Sequence, residues 1–190
     1  LIELEKIPLG AYPPFELALH AGNVPTTPLD HHSLSQLLFD SLAISAWKQI
    51  GDASWALRAN PSSGNLHPTE GHLICGPLHG LGDTPAVYHY APREHALELR
   101  ARFPLETWRS LTVDLPPDTV LVGLTSIHWR EAWKYGERAF RYCQHDVGHA
   151  VAAISIAAAG LGWKATLLDN LGTEQLASLL GVFDPQGAEA

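Results

Sequence analysis

The sequence predicts a single domain of mixed helices and strands, α+β or α/β, and three observations carry that prediction. Short β-branched runs closed by Gly or Pro alternate with stretches of helical periodicity. One stretch, 135–161, repeats apolar residues every three or four positions through its whole length. The 190 residues, 46% of them hydrophobic, supply one ordinary core, and neither an internal repeat nor a domain boundary interrupts them.

Residues 1–30 are rich in proline (Pro8, Pro13, Pro14, Pro25, Pro28), and "IPLGAYPPF" reads as an extended arm, with 31–190 as the domain proper. "SLSQLLFDSLAISAWKQIG" reads as the first helix: Ser33 and Gln36 form an S-x-x-Q capping box, Leu34, Leu38 and Leu42 make one row, and Gly51 is the stop. "GHLICG" and "AVYHYAP" read as strands around the turn "GPLHGLGDTP". "HALELRARF" reads as a short helix, and "DTVLVGLTSI" as a buried strand.

The longest helix, 135–161, carries the apolar stripe Phe140, Cys143, Val147, Val151, Ile154, Ala158 and Leu161. A polar stripe of Arg138, Tyr142, His145 and His149 runs along its first half. The second half, "AVAAISIAAAGLG", is apolar nearly all round and rich in alanine, which predicts a helix buried on every side at a subunit or domain interface. "WKATLLD" reads as a last strand and "GTEQLASLLGV" as a last helix.

Composition narrows the function classes. The net charge is −8, from 12 Lys and Arg against 20 Asp and Glu. Only Lys6 and Lys48 precede Arg58 as cations, so no basic surface for nucleic acid is expected. Charged residues make up only 17%, which suits either surface hidden in a dimer or around a cofactor, or a merely apolar monomer. Cys75 and Cys143 are expected as buried free thiols of a reducing compartment. Glu3, Glu5 and Lys6 break any leader-like run, and 150–161 is too short to span a bilayer, so a cytoplasmic protein without a membrane partner is expected.

Several site chemistries are weak. His145 and His149 have metal-ligand spacing, but Asp146 stands where the H-E-x-x-H motif needs Glu, and no third ligand is visible; no metal is assigned. Ser62 and Ser63 lie in "PSSGN", which is not a nucleophile elbow. No G-x-G-x-x-G or Walker A loop is present. What stands out is "RANPSSGNLHPTEG", residues 58–71. Pro61 sets φ, Gly64 permits positive φ, and Ser62, Ser63 and Asn65 add short polar side chains beside the Arg58 guanidinium. Such a loop can grip a flat heterocycle or an anion; it can also be an elaborate turn before a strand.

That segment resembles the R-x-x-P-S-[AS]-G-x-x-[HY]-P-x-E motif of the nitroreductase superfamily, most closely its SagB-type dehydrogenase branch. "YGERAFRYCQHDVGHAVAAISIAAAGLGW", 135–163, is similar to that branch's Y-x-x-R helix motif, and "WKATLLDNLGTEQLASLLGV" to its continuation. The resemblance covers 33–183. It implies an α+β fold with a mixed central sheet flanked by helices and a long buried central helix. It also implies non-covalent FMN at the interface of a homodimer, or of a pseudo-dimer with a second nitroreductase-like half.

Carried over residue by residue, the cofactor would be lined by Arg58, Pro61, Ser62, Ser63, Gly64 and Asn65, and by Gly160, Leu161 and Gly162. Tyr135, Arg138 and Tyr142 would face a small organic or peptide-derived substrate. The implied chemistry is two-electron hydride transfer at flavin N5, with a nicotinamide nucleotide as a possible reductant, and no single residue is assigned as catalytic. The family's phosphate-binding cations have no counterpart before Arg58 or after Lys164. The chain therefore reads as the first half of a longer tandem protein, or as a non-catalytic module that dimerises or sequesters flavin.

Overall fold

The computed structural model describes residues 1–5, 13–20, 22–169 and 171–182; most of "IPLGAYPPF" and the tail from Phe183 lie outside the described residues. The first helices are the single turn α1 (Phe15–Ala18) and α2 (His31–Leu42). Asp30 caps α2: its carboxylate accepts from the Ser33 amide at 2.8 Å, while the Asp30 amide donates to Ser33 Oγ at 2.9 Å. This reciprocal box, one turn earlier than the Ser33–Gln36 pair expected from sequence, wins because a carboxylate is the stronger acceptor for an unpaired helix N–H. The same bond to the Ser33 amide, against a smaller cost of burial, holds the Asp30 carboxyl below its usual range. Asp30→Ala is expected to cost about 1 kcal/mol in urea unfolding.

Helix α2 ends at Leu42, well before Gly51, because Ala43 turns extended and the leucine row runs out. The chain then forms a hairpin, β2 (Ile44–Ile50) and β3 (Ala53–Arg58), and Gly51 at φ +57° makes its turn instead of stopping a helix. The hairpin pairs with no other strand among the described residues and leaves Trp47 and Ile50 61% and 74% exposed.

The main sheet runs β1 (Ile2–Glu3), β6 (Ala96–Arg102), β5 (Ala86–Ala91), β4 (Thr69–Cys75), β7 (Leu121–Ser126), with each adjacent pair antiparallel. The expected strands at 71–76, 86–92 and 118–127 are β4, β5 and β7. "HALELRARF" is strand β6 and not a helix. Ala96 and Leu97 are fully buried and residues 99–102 are exposed, so pairing with β5 along the whole strand, and not a buried face, overrode the helix preference of Glu, Leu and Arg.

Two hydrophobic layers sandwich this sheet. Leu34, Leu37, Leu38 and Leu42 of α2 join Leu73, Tyr88, Tyr90 and Leu97 on one face. On the other, Ile74 and Val87 meet Trp108 of α3 (Leu105–Leu111) and Leu180 of α6 (Thr173–Leu180). Both cysteines are free and buried, and burial pushes the Cys75 thiol up to about 12.

The long helix arrives in pieces. Helix α4 (Trp129–Tyr135) and a 3-10 turn (Gly136–Arg138) precede α5 (Ala139–Gly160), which packs on α2. The expected stripe holds from Cys143 onward, but Phe140 is 67% exposed because the buried face of α5 starts at Ala139 and continues through Cys143 and Asp146, one residue off Phe140. In the second half Ala150, Ala157 and Ala158 are buried while Ile156 remains half exposed, so one chain does not enclose the helix on every side. Residues 163–169 form no strand: they run along the protein surface without ladder partners, and Leu167 is 75% exposed.

Candidate functional site

The loop 59–68 leaves β3 and enters β4, and three backbone positions within it have positive φ: Gly64 (62°), Asn65 (59°) and His67 (50°). For the two non-glycine residues that conformation costs free energy, so something must hold it. The holding groups are buried. Asp146 of α5, fully enclosed, accepts from Ser62 Oγ at 2.6 Å, the Ser63 amide at 3.0 Å and Ser63 Oγ at 3.1 Å. Ser62 Oγ in turn accepts from the His67 amide at 2.8 Å. Asn65 donates to the Ala56 carbonyl at 2.9 Å, and its Oδ1 meets His67 Nε2 at 2.8 Å.

Arg58 points inward. Its Nη1 donates to the Thr69 carbonyl at 3.1 Å, and the guanidinium faces Glu70 and Arg130. Arg130 of α4 bridges the loop and the sheet, donating to the His67 carbonyl at 2.8 Å and to the Glu70 carboxylate. Glu70 also meets His89 Nε2 at 2.9 Å, and His89 Nδ1 meets Glu98 at 2.8 Å. Burial opposes the charge on Glu70, but His89, Arg58 and Arg130 together keep its carboxyl below the usual range. The same bond to Glu70 raises His89. The predicted polar side chains are thus engaged inside the protein. What the loop offers outward is a stiff surface with Pro61 and Gly64 exposed.

Over that surface stand Lys134 and Tyr135. A Cβ built on Gly64 would strike the Tyr135 hydroxyl and lie 2.8 Å from Lys134 Nζ. Lys134 Nζ sits 5.4 Å from the centroid of the Tyr135 ring, whose centroid is 4.4 Å from that of Tyr142. Arg138 lies over Tyr142 at 5.9 Å, so Tyr135, Arg138 and Tyr142 form one cluster beside the loop. His145 stacks edge-on to Tyr142, and both His145 and His149 are exposed.

Gly160, Leu161 and Gly162 are elsewhere. Fourteen residues of α5 separate Asp146 from Gly160, about 21 Å at the helical rise. There the Leu161 carbonyl accepts from the Thr27 amide at 2.9 Å, and Gly162 presses on the Pro25 backbone. A cavity of about 610 Å³ opens at this end, between β7, α5 and residues 163–168. The chain therefore does not bring its two predicted cofactor segments together.

The family model described as Nitroreductase family matches residues 46–188. The chain belongs to the nitroreductase family. Members of that family typically bind a flavin and are oxidoreductases. Among its relatives, a nitroreductase-like protein of Methanocaldococcus jannaschii is 23% identical over 143 residues, 72% of this chain and 67% of that protein. A nitroreductase-like structure from Ralstonia eutropha superposes with a TM-score of 0.70 at 19% identity, covering 96% of this chain and 82% of that one. One from Anabaena variabilis gives 0.58 at 22% identity over 83% of this chain, but the chain spans only 33% of its length. The Escherichia coli microcin synthetase McbBCD complex, with truncated pro-MccB17 bound, gives 0.63 at 21% identity, covering 84% of this chain and 63% of that one. These likenesses establish a nitroreductase fold.

Sequence reasoning missed Asp146, Glu131, Glu70 and Arg130. Asp146 was findable. It falls three residues after Cys143 and four before Ala150, inside the buried face of the helix, where an acid needs a partner.

Proposed function

We propose that this nitroreductase-family chain binds FMN and works as a two-electron oxidoreductase on a small organic or peptide-derived substrate. The loop supports this reading: strained at Asn65 and His67 yet tied down by Asp146 and Arg130, it is a preorganised platform where a flat ring can lie. The donors fit a ring better than a phosphate, because Arg58 is engaged inward with Thr69 and Glu70. Bound flavin would supply hydride exchange at N5; the protein supplies position and electrostatics. Lys134 and Tyr135 would flank the ring's outer side, with Arg138 and Tyr142 further out toward substrate.

The separation along α5 supports a site completed in trans. One copy's loop would meet the Gly160–Gly162 end of a second copy, or of a second nitroreductase-like half in a longer chain. Such a partner would also provide cations for the FMN phosphate. The test is the visible spectrum of the purified protein. Flavin bands near ~450 nm, released on denaturation and identified as FMN, are the expected result. A colourless protein that cannot be reconstituted with FMN would point instead to a non-catalytic family module.

A further inference from the structure

We propose that Asp146 is a positioning residue of the candidate site, acting on a bound ring only through Ser62 and Ser63. The proposal rests on the flavin reading above, but the contacts that carry it belong to the chain alone. Asp146 is fully buried on α5, and its oxygens accept the Ser62 hydroxyl, the Ser63 hydroxyl and the Ser63 amide. Ser62 Oγ passes the constraint on by accepting from the His67 amide. One carboxylate therefore closes the turn at both ends, 62–63 and 67, around the three positive-φ residues.

The clasp also fixes polarity. Both serine hydroxyls donate to Asp146, so their protons are committed inward. Ser62 Oγ is then occupied as donor and acceptor, and Ser63 turns lone pairs, not a proton, toward any ligand. Beneath the clasp lies Glu131 of α4, fully buried, with neither carboxyl oxygen hydrogen-bonded. Burial, and then the Asp146 charge, push Glu131 upward against the pull of Lys134, and the nearby Cys143 thiol is raised as well. The Asp146 carboxylate faces the serine donors and, farther off, His67. No Lys or Arg among the described residues forms an ion pair with Asp146 at contact distance.

Two substitutions separate shape from charge. Asp146→Ala removes the clasp; Asp146→Asn keeps its size and one acceptor. Hydrogen exchange of amides 62–67 in the FMN-free chain is the first readout, and FMN titration by fluorescence the second. Expected for Asp146→Ala are faster loop exchange with α2 and the sheet still protected, and FMN binding weakened about tenfold to hundredfold. Asp146→Asn should restore most of the affinity while moving the midpoint potential of bound FMN positive, since a buried negative charge that resists reduction is gone. Should Asp146→Ala fail to fold, Ser63→Ala removes one contact from a half-buried loop and should show the same exchange pattern, more weakly. Loop amides exchanging at wild-type rates in folded Asp146→Ala or Ser63→Ala would overturn the proposal. If the wild-type chain binds no FMN but the loop still loosens, the flavin reading fails and the positioning role stands.

Discussion

Gly64→Val will abolish flavin retention and leave the fold intact. Gly64 sits at φ +62°, and its missing side chain is the space filled by the Tyr135 hydroxyl and Lys134 Nζ. Valine would force a left-handed backbone on a β-branched residue, at a cost of roughly 1–3 kcal/mol, and would push Tyr135 and Lys134 off the loop. If the ring lies on this surface, that strain and displacement translate to about tenfold to hundredfold weaker FMN binding or more. Gly64 is exposed and outside both hydrophobic layers, so circular dichroism should change little and the unfolding midpoint should fall by no more than that strain. Undiminished FMN affinity in a folded Gly64→Val chain would remove this loop from the cofactor site.

Acid will destabilise the chain well before its carboxylates protonate. His67 and His72 both fall from 6.5 to about 4 in the folded chain, chiefly because burial penalises the imidazolium. His67 also faces Arg58, Asp146, Arg130 and Glu70; His72 faces His89, Glu70 and Arg100, and bonds Thr125 Oγ1 at 3.1 Å. The unfolded chain takes up protons at these two positions near pH 6.5, whereas the folded chain holds out to about pH 4. Their neutral burial therefore contributes stability above pH 6.5 that is lost as pH falls between those values. His89 runs the other way: raised by Glu70 and Glu98, it stabilises below its unfolded value and loses that contribution as pH rises through its folded one. Urea midpoints should peak near neutrality and fall steeply toward pH 4. In His72→Gln the acid limb should be visibly shallower. An unchanged acid limb in that variant would falsify the assignment.

The sequence made some of this legible and hid the rest for identifiable reasons. Strands β4, β5 and β7 are rich in Ile, Val, Leu and Tyr, and α6 has a clean helical period, so each announced itself. Strand β6 did not, because Glu98, Arg100 and Arg102 favour helices locally and only pairing with the strand of Tyr88 and Tyr90 settles them. The end of α2 was hidden by Gly51, a residue that serves a helix stop and a hairpin turn equally well. At the candidate site the loop was readable as a motif. Its mechanics were not: the partners of Ser62, Ser63 and Arg58 come from residues 146, 69 and 70, and only the fold reveals that the hydroxyls and guanidinium face inward. Glu131 gave no signal at all, since its burial depends on how α4 meets α5.

The β2–β3 ribbon carries a practical consequence for every measurement named above. A two-stranded ribbon is marginally stable in water, its outer edges meet no further strand among the described residues, and Trp47 and Ile50 lie bare on it. Dilution and crowding are then different experiments. If a second copy covers this ribbon, colour, FMN affinity and melting point will each drift with chain concentration, and a titration repeated across a dilution series will report how much of each value belongs to one molecule.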